Sequence, residues 1–508
     1  MPKRLFQLRI PLLAAAIVCG GFEGRSDVVL APLFTHGVVL QRDRPIPVWG
    51  RADPGEALKV TFRGDSASTS AGSDGRWRVT LRAQPARIDA GELVVQGRDT
   101  VRVRDVLVGD VWLCGGQSNM SFTVYRGLNA NAEIGAANFP LIRHFLVPRR
   151  VAERPAEDVS GSWQICHPDA VADFTAVGYF FARDLFLRRG IPIGLVNATW
   201  GGTQVESWMS EAAVRCDPAQ SEIYLRWQKR LDDYPAKASE YKRALAQWQE
   251  RADAARAKGE VFDAPAPPEA EGPASRWMPA GLYNAMIAPL VPAAFRGVIW
   301  YQGEANAPRA SEYASLFQGM IRQWRDEFGP DLPFYFVQLA NHNRQSDKTR
   351  VTWAYLREAQ AEALTLPHTG MVVAIDIGDV DDVHPKNKQE VGRRLALIAR
   401  QRLDGEPVVF SGPIFKTAQR EGSTLRVTFE HAAGLTSRGA PIVGVEIAGA
   451  DHKFVPAIAR IERDTLVVSA ESVPEPGALR YAWHNYPVAC LFNENGLPAA
   501  PFRSKRWD

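Results

Sequence analysis

The sequence predicts an α/β protein in which a parallel sheet with helices on both faces lies between two β-rich regions. From about residue 106 to residue 405, short apolar runs alternate with helical stretches, which is the pattern of a parallel sheet covered by helices. Before and after this region, alternating runs are broken by Pro, Gly and Asp, as in antiparallel β structure. The 508 residues exceed one compact core and imply two or three domains.

The two β-rich regions are predicted from period-two alternation. Arg76–Leu81 alternates as a half-buried strand does, and we predict a small β-sandwich over residues 28–105. Leu425–Phe429 and Thr465–Ser469 alternate in the same way. They predict a C-terminal β domain over residues 406–508.

The central region, residues 106–405, contains the predicted parallel sheet. Ala176–Arg189 has its apolar residues on one helical face, and Gly190 is placed to end that helix. A further helix carries Val391. The predicted strands are Val111–Cys114, Ile193–Val196, Val298–Tyr301, Phe334–Val337 and Met371–Ile375.

Residues 216–276 interrupt this pattern and are predicted to be an insertion. Cys216–Lys258 is rich in Glu, Lys, Arg and Ala, which predicts a solvated helical pair, and Asp263–Pro273 is a Pro- and Ala-rich linker. A long insertion of this kind is either a surface decoration or a lid over a functional site.

The first 20 residues are predicted to be an export signal. Lys3, Arg4 and Arg9 form a basic segment, and a short apolar run follows, too short to span a bilayer. Cleavage near Gly20 is our expectation, with lipidation at Cys19 as the alternative. We therefore expect a periplasmic or extracellular protein.

Charge and cysteine content exclude several classes of protein. The formal net charge of +3 falls to near zero when the basic signal is removed, which argues against nucleic acid or an anionic membrane as a partner. No later apolar run is long enough for a membrane helix. The remaining four cysteines show no metal-ligand spacing. Their pairing and the oligomeric state stay open.

Four polar blocks each follow a predicted strand. Ligands of open parallel sheets bind beyond the carboxyl ends of the strands, so we expect the four blocks to converge on one crevice. The blocks are Gly115–Met120, Trp200–Thr203, Trp300–Asn306 and Asp379–Pro385.

The residue types in these blocks suit acyl transfer. Ser118 is a candidate nucleophile, and it needs a base, which His384 supplies. An Asp shortly before His384 can hold the imidazole in one tautomer. The backbone N–H of Gly202 and the side-chain amide of Gln302 or Asn306 are candidate donors to a developing oxyanion.

The blocks resemble those of the SGNH hydrolase superfamily and, within it, the sialate O-acetylesterase group. The resemblance runs from about residue 30 to the C-terminus, and its nucleophile and His-Pro blocks are highly specific. The matching segments are Gly109–Met120, Trp200–Trp208, Leu282–Leu290, Trp300–Asn306, Val383–Gln389 and Tyr481–Pro487.

The resemblance implies an SGNH-type, flavodoxin-like sheet and a serine esterase that removes O-acetyl groups from carbohydrates, without metal or cofactor. It makes Ser118 the nucleophile, His384 the base and Gly202 an oxyanion donor. For the third donor we favour Gln302, which is nearest the strand end, with Asn306 as the alternative.

Two aspartates are candidates for orienting His384. The pattern of the wider superfamily points to Asp381, and the Asp-x-His-Pro pattern of the group points to Asp382. We lean to Asp382 on the resemblance.

Three alternatives stay open at this point. The substrate is an O-acetylated sialate or, as the alternative, an acetylated hemicellulose such as xylan or xyloglucan; Arg309 and Arg357 are either clamps for a sialate carboxylate or surface residues. A second class is a non-catalytic carbohydrate-binding protein on the same scaffold. A third is a metal-dependent hydrolase that uses Asp379, Asp381, Asp382 and His384, although further clustered His ligands are lacking.

Overall fold

The computed structural model describes residues 28–343 and 345–507. The predicted export signal, residues 1–20, lies outside these residues, as does the alternative lipidation position Cys19. Across the described ranges, no helix combines the length and the apolar character needed to cross a membrane.

The N-terminal region is all β and runs directly into the central sheet. β1, β3 and β6 form a three-stranded antiparallel sheet, and the predicted strand Arg76–Leu81 is β6. β2, β4, β5 and β7 join the large sheet through β8. The strands are β1 Val29–Leu30, β2 Val39–Gln41, β3 Ile46–Arg51, β4 Ala57–Phe62, β5 Asp65–Ser70, β6 Arg76–Leu81, β7 Arg87–Gln96 and β8 Thr100–Gly116.

β8 is the strand that joins the two regions. Its first part alternates between exposed and buried residues, whereas every residue from Leu107 to Gly116 is buried. Asp105 has a φ of 57°, so the strand bends where the pattern changes. The boundary expected between residues 105 and 106 therefore lies within one continuous strand.

The large sheet has 11 strands and is mixed, not parallel throughout. Its central strands run in the order β9-β11-β8-β12-β13-β14 and are parallel, and β10 pairs antiparallel with β9 at one edge. The strand order reverses direction at β8, which has β11 on one side and β12 on the other. The added strands are β9 Phe139–Leu146, β10 Trp163–Cys166, β11 Ile193–Thr199, β12 Gly297–Tyr301, β13 Phe334–Val337 and β14 Thr369–Val372.

Helices of the central region pack in pairs, α4 against α9 and α7 against α8. α4 matches the predicted helix, and Gly190 ends it in a left-handed conformation. The helices are α1 Ser118–Ser121, α2 Ala130–Gly135, α3 Pro168–Val171, α4 Ala176–Arg189, α5 Glu211–Arg215, α6 Gln220–Lys258, α7 Ala310–Phe328, α8 Thr352–Ala361 and α9 Lys388–Asp404.

α6 is one continuous helix of 39 residues, so the predicted helical pair is wrong. Pro235 lies inside it, and Ser239 Oγ donates to the Pro235 carbonyl at 2.9 Å. The segment holds no glycine before Gly259 and is otherwise rich in good helix formers, so the helix continues through Pro235. Gly259 ends the helix in a left-handed conformation.

The C-terminal region forms two antiparallel four-stranded sheets, β15-β16-β20-β19 and β18-β17-β21-β22. Its strands are β15 Ile414–Glu421, β16 Thr424–Glu430, β17 Val445–Ala448, β18 Val455–Pro456, β19 Ile458–Glu462, β20 Thr465–Ser469, β21 Ala478–Tyr481 and β22 Phe502–Arg503.

The cysteines of the described ranges are free thiols. Cys114, Cys166 and Cys490 are buried, and Cys216 is exposed. The buried three act as small apolar side chains in the cores.

Candidate active site

The polar blocks lie where neighbouring parallel strands end. Ser118 follows β8, Gly202 follows β11 and Gln302 follows β12, and β8 pairs with both of the other strands. The carboxyl ends of these strands therefore bring the three residues to one edge, at the point where the strand order reverses. This is the position at which open α/β sheets bind ligands.

The nucleophile block turns sharply after β8. Gly116 has a φ of 130°, and a Cβ on it would lie 2.2 Å from the Tyr301 carbonyl oxygen, so only glycine fits. Gln117 N donates to the same oxygen at 3.0 Å. Ser118 begins α1 and is half-buried.

His384 is paired with Asp382. Asp382 Oδ1 lies 3.2 Å from His384 Nδ1 and also accepts the His384 backbone N–H at 2.8 Å. Asp381 donates its backbone N–H to Asp379 Oδ1 at 2.9 Å, as Asp382 does at 3.2 Å. The carboxylate beside the imidazole is therefore that of Asp382, and Asp379 shapes the loop that presents it.

The surroundings of His384 favour its neutral form. Burial lowers the pKa of the imidazole, and the neighbouring cations Lys388 and Arg126 lower it further. Asp382 acts in the opposite direction, both through its charge and through its hydrogen bond. A neutral imidazole is the form that accepts a proton.

Asn119 connects the serine segment to the histidine segment. Its Nδ2 donates to the Val383 carbonyl at 2.9 Å and to Glu304 Oε1 at 2.5 Å, and its Oδ1 accepts from Lys388 Nζ at 2.5 Å. The residue after Ser118 thus holds the residue before His384. In the described part of the chain no hydrogen bond joins Ser118 Oγ to His384; such bonds often tighten only when substrate binds.

The glycine block lies against Ser118. A Cβ on Gly201 would be 3.2 Å from the Ser118 Cβ. Gly202 has a φ of 72°, and its carbonyl accepts from Trp277 Nε1 at 2.7 Å. Among the described residues, the Gly202 N–H has no hydrogen-bond acceptor, so this donor is available to a ligand.

The two candidate amides lie side by side and are both buried. Gln302 Nε2 donates to the Thr203 carbonyl at 3.0 Å and to Asn306 Oδ1 at 2.7 Å. Asn306 Nδ2 donates to Glu206 Oε2 at 2.9 Å. Both N–H groups of the Gln302 amide are therefore engaged, whereas the Asn306 amide has one engaged N–H.

Arg309 and Arg357 both have protein partners, and they differ in burial. Arg357 is fully buried, and its guanidinium donates to the carbonyls of Leu339, Ala340, His484 and Asn485 and to the Asn341 side chain. Arg309 pairs with Glu206 and Glu312 at 2.8 and 2.9 Å. Their donors hold the loops around the site in place.

The sequence did not single out the residues that hold the blocks together. Asn119 and Lys388 stand within the matching segments, but only their contacts reveal their role. Lys388 is fully buried, and burial lowers the pKa of its ammonium to about 7. Burial also raises the pKa of the Glu304 carboxyl, which accepts from Asn119.

The acidic loop does not form a cluster of metal ligands. Over residues 28–343 and 345–507, no group of three or more His, Cys, Asp or Glu side chains is arranged to hold a metal ion. The Asp379 carboxylate is instead occupied by two backbone N–H groups.

Known proteins resemble this chain over nearly its whole length. A family model described as "Carbohydrate esterase, sialic acid-specific acetylesterase" matches residues 269–401. The sialate O-acetylesterase of Rattus norvegicus is 30% identical, over 90% of this chain and 90% of the relative. The sialate O-acetylesterase of Homo sapiens is 28% identical, over 99% of this chain and 96% of the relative.

A solved structure agrees in fold as well. The crystal structure of a carbohydrate acetylesterase from Xanthomonas citri has a TM-score of 0.81 and 39% sequence identity, and the match covers 95% of this chain and 100% of that one. The predicted resemblance is therefore confirmed. The chain belongs to the sialate O-acetylesterase family and is a carbohydrate O-acetylesterase, a carboxylic ester hydrolase.

Proposed function

We propose that the enzyme hydrolyses O-acetyl esters of sugars with Ser118 as nucleophile, His384 as general base and Asp382 as the acid that orients it. The observation that carries this proposal is the contact between Asp382 Oδ1 and His384 Nδ1. It fixes the proton on Nδ1 and leaves Nε2 as the basic nitrogen.

The reaction proceeds through an acetyl-enzyme. Ser118 Oγ attacks the acetyl carbonyl carbon while His384 Nε2 takes the hydroxyl proton. The tetrahedral intermediate collapses, His384 gives that proton to the leaving sugar oxygen, and the acetyl group stays on Ser118. Water then attacks the acetyl carbonyl with His384 again as base, which releases acetate and restores the serine.

Backbone and side-chain donors stabilise the oxyanion of both tetrahedral intermediates. We assign the N–H groups of Ser118 and Gly202 to this role, since the Gly202 N–H has no acceptor among the described residues. Sequence position favours Gln302 as the third donor, but the N–H that is not engaged belongs to Asn306. We therefore propose Asn306 as the third donor.

The proposed substrate is an O-acetylated sialate, with acetylated xylan or xyloglucan as the alternative. Support for a sialate is the agreement of the family description with the names of the rat and human relatives. The Xanthomonas citri enzyme is named only a carbohydrate acetylesterase, which fits both substrates.

The proposed architecture is an SGNH-type domain over residues 106–405, with β domains before and after it and an exported mature chain. Its support is the parallel order β9-β11-β8-β12-β13-β14 with Ser118 directly after the central strand β8. The helix pairs α4–α9 and α7–α8 fit helices on both faces of that sheet.

Acetate release from a panel of acetylated sialosides, acetylated xylan and acetylated xyloglucan tests this proposal. The account predicts that sialosides give the highest kcat/KM and that Ser118→Ala, folded like the wild type, releases acetate from none of them. A higher kcat/KM on the plant polysaccharides would show that the substrate is an acetylated hemicellulose and not a sialate. Absence of release from every member by the wild-type enzyme would contradict the function itself.

A further inference from the structure

A cavity of about 580 Å³ opens beside the glycine block. Its walls come from two parts of the chain that are far apart in sequence. Trp200 belongs to the glycine block, Tyr234 to α6, and Glu271 and Arg276 to the segment that follows α6. The insertion over residues 216–276 thus contributes most of the wall.

The glycine block contacts both the proposed nucleophile and the wall of the cavity. Gly201 lies against Ser118, where a Cβ would be 3.2 Å from the serine Cβ. Gly202 lies against Arg276, where a Cβ would be 3.6 Å from the guanidinium Nε. The glycine pair therefore lies against Ser118 on one side and against Arg276 of the cavity wall on the other.

The segment that forms the far wall is held firmly. Trp277 Nε1 donates to the Gly202 carbonyl at 2.7 Å, and the Arg230 guanidinium lies 3.9 Å from the centre of the Trp277 ring. Ser275 Oγ donates to Glu271 Oε2 at 2.6 Å. These contacts tie α6 and the following segment to the glycine block, so the wall is in place before a ligand binds.

The side chains of the cavity suit a sugar. Trp200 and Tyr234 are half-buried and offer flat apolar faces next to polar groups. Arg276 pairs with Glu271 at 2.9 Å, and its Nε is buried without a hydrogen-bond partner. The protein encloses this Nε, but the Arg276 side chain is 34% exposed, so its outer guanidinium N–H groups can donate to a sugar oxygen placed in the cavity.

We propose that this cavity binds the sugar ring that carries the acetyl group, and that the insertion is part of the substrate site. The ring lies against Trp200 and Tyr234, and its oxygens accept from Arg276 while its hydroxyls donate to Glu271. This inference rests on the proposed function, because it takes Ser118 as the nucleophile.

Two ester substrates separate the inference from the proposed function. We compare kcat/KM for an acetylated sugar with kcat/KM for 4-nitrophenyl acetate, which has no sugar. Tyr234→Ala should lower the ratio of kcat/KM for the acetylated sugar to kcat/KM for 4-nitrophenyl acetate by about tenfold. This is the size of the loss of one aromatic contact. Arg276→Met, which keeps the apolar stem, should lower it by a similar factor of about ten because one charged hydrogen bond is lost.

Tyr241→Ala is the matched control, because Tyr241 is a half-buried tyrosine of α6 outside the cavity. It should leave the ratio unchanged. An unchanged ratio in both Tyr234→Ala and Arg276→Met, with wild-type activity on both esters, would overturn the inference and leave the proposed function intact. An equal loss on both esters would also overturn it. A wild-type enzyme that cleaves neither ester would overturn the proposed function and this inference together.

Tyr234 packs closely on Gly272, where a Cβ would be 2.5 Å from the tyrosine ring, so the alanine variant is checked by its melting temperature. If it does not fold, Arg276→Met decides the outcome by the same ratio. Its partner Glu271 keeps the hydrogen bond from Ser275.

Discussion

Asp382 and His384 are joined through one carboxylate oxygen, because Asp382 Oδ1 accepts the His384 backbone N–H at 2.8 Å and lies 3.2 Å from the ring Nδ1. The backbone bond holds the two residues in register, and the second contact brings the carboxylate to the Nδ1 side of the imidazole. The Asp381 carboxylate has no such contact with the imidazole in the described structure.

The first prediction separates the two neighbouring aspartates. Asp382→Asn should lower kcat by up to about 10⁴-fold, the loss seen when a triad aspartate becomes asparagine, with little change in melting temperature because the amide oxygen still accepts from the His384 backbone. Asp381→Asn is the matched control and should keep kcat near the wild-type value. Steady-state kinetics on one acetyl ester measures both, and a larger loss in Asp381→Asn would reassign the orienting acid.

The second prediction concerns the third oxyanion donor. Asn306→Ala should lower kcat by roughly 10²- to 10³-fold, as removal of one oxyanion donor does. Gln302→Ala should lower the melting temperature more than kcat, because its amide bridges the Thr203 carbonyl, Asn306 and the Tyr313 hydroxyl. Kinetics and thermal unfolding of both variants give the ranking, and a larger kcat loss in Gln302→Ala would identify Gln302 as the donor.

The third prediction is a pH shift. The His384 pKa lies below its usual 6.5, so the neutral base persists into mildly acidic solution and kcat/KM is lost only as the pH falls through the lowered pKa. Lys388, with a pKa of about 7, carries its charge at that pH. Lys388→Met should therefore raise the His384 pKa and move the acidic limb of kcat/KM to higher pH.

Lys386→Met is the control for this shift, since Lys386 is exposed and two residues from His384. The pH profiles of the wild type and both variants are compared at constant ionic strength. Lys388 is assigned the role of lowering the His384 pKa. An acidic limb of kcat/KM that moves to lower pH in Lys388→Met, or that moves equally in both variants, would contradict this role.

The fourth prediction concerns metal ions. Activity should survive prolonged incubation with a chelator, because the proposed steps use only Ser118, His384, Asp382 and backbone donors. Acetate release is measured before and after dialysis against the chelator. A loss that a divalent cation restores would favour the metal-dependent alternative at Asp379 and its neighbours.

The sequence predicted that the polar blocks lie at one edge of the sheet, because buried parallel strands are recognisable as unbroken apolar runs. Runs such as Val298–Tyr301 and Phe334–Val337 are apolar throughout, and both lie in fully buried strands. Polar residues directly after such runs must lie at the carboxyl edge. Ser118, Gly202 and Gln302 could therefore be expected at one edge of the sheet from the sequence alone.

The continuity of β8 could not be predicted in the same way. The pattern changes at Val106 because the strand passes from a half-exposed sheet into a fully buried one. Period-two alternation and an unbroken apolar run both describe strands, so the change of pattern reports burial and not the end of an element.

Side-chain partners were the least predictable feature. From the sequence, Arg357 is expected to be a surface or ligand-binding residue. In the structure its guanidinium donates to carbonyls of two segments that are distant in sequence, Leu339–Ala340 and His484. The sequence did not indicate a role for Arg276, because this residue reaches the cavity wall only through the packing of the insertion against Gly202. Contacts between distant segments decide such roles, and periodicity carries no information about them.

The identity of the nucleophile is the central claim, and covalent labelling tests it most directly. The enzyme is treated with a fluorophosphonate, which reacts with activated serines, and the modified peptide is identified by mass spectrometry while residual activity is followed. The account predicts one adduct on Ser118, formed in proportion to the loss of activity, and no adduct in a folded Ser118→Ala variant. An adduct on another residue that tracks the loss of activity, or an active Ser118→Ala enzyme, would contradict it.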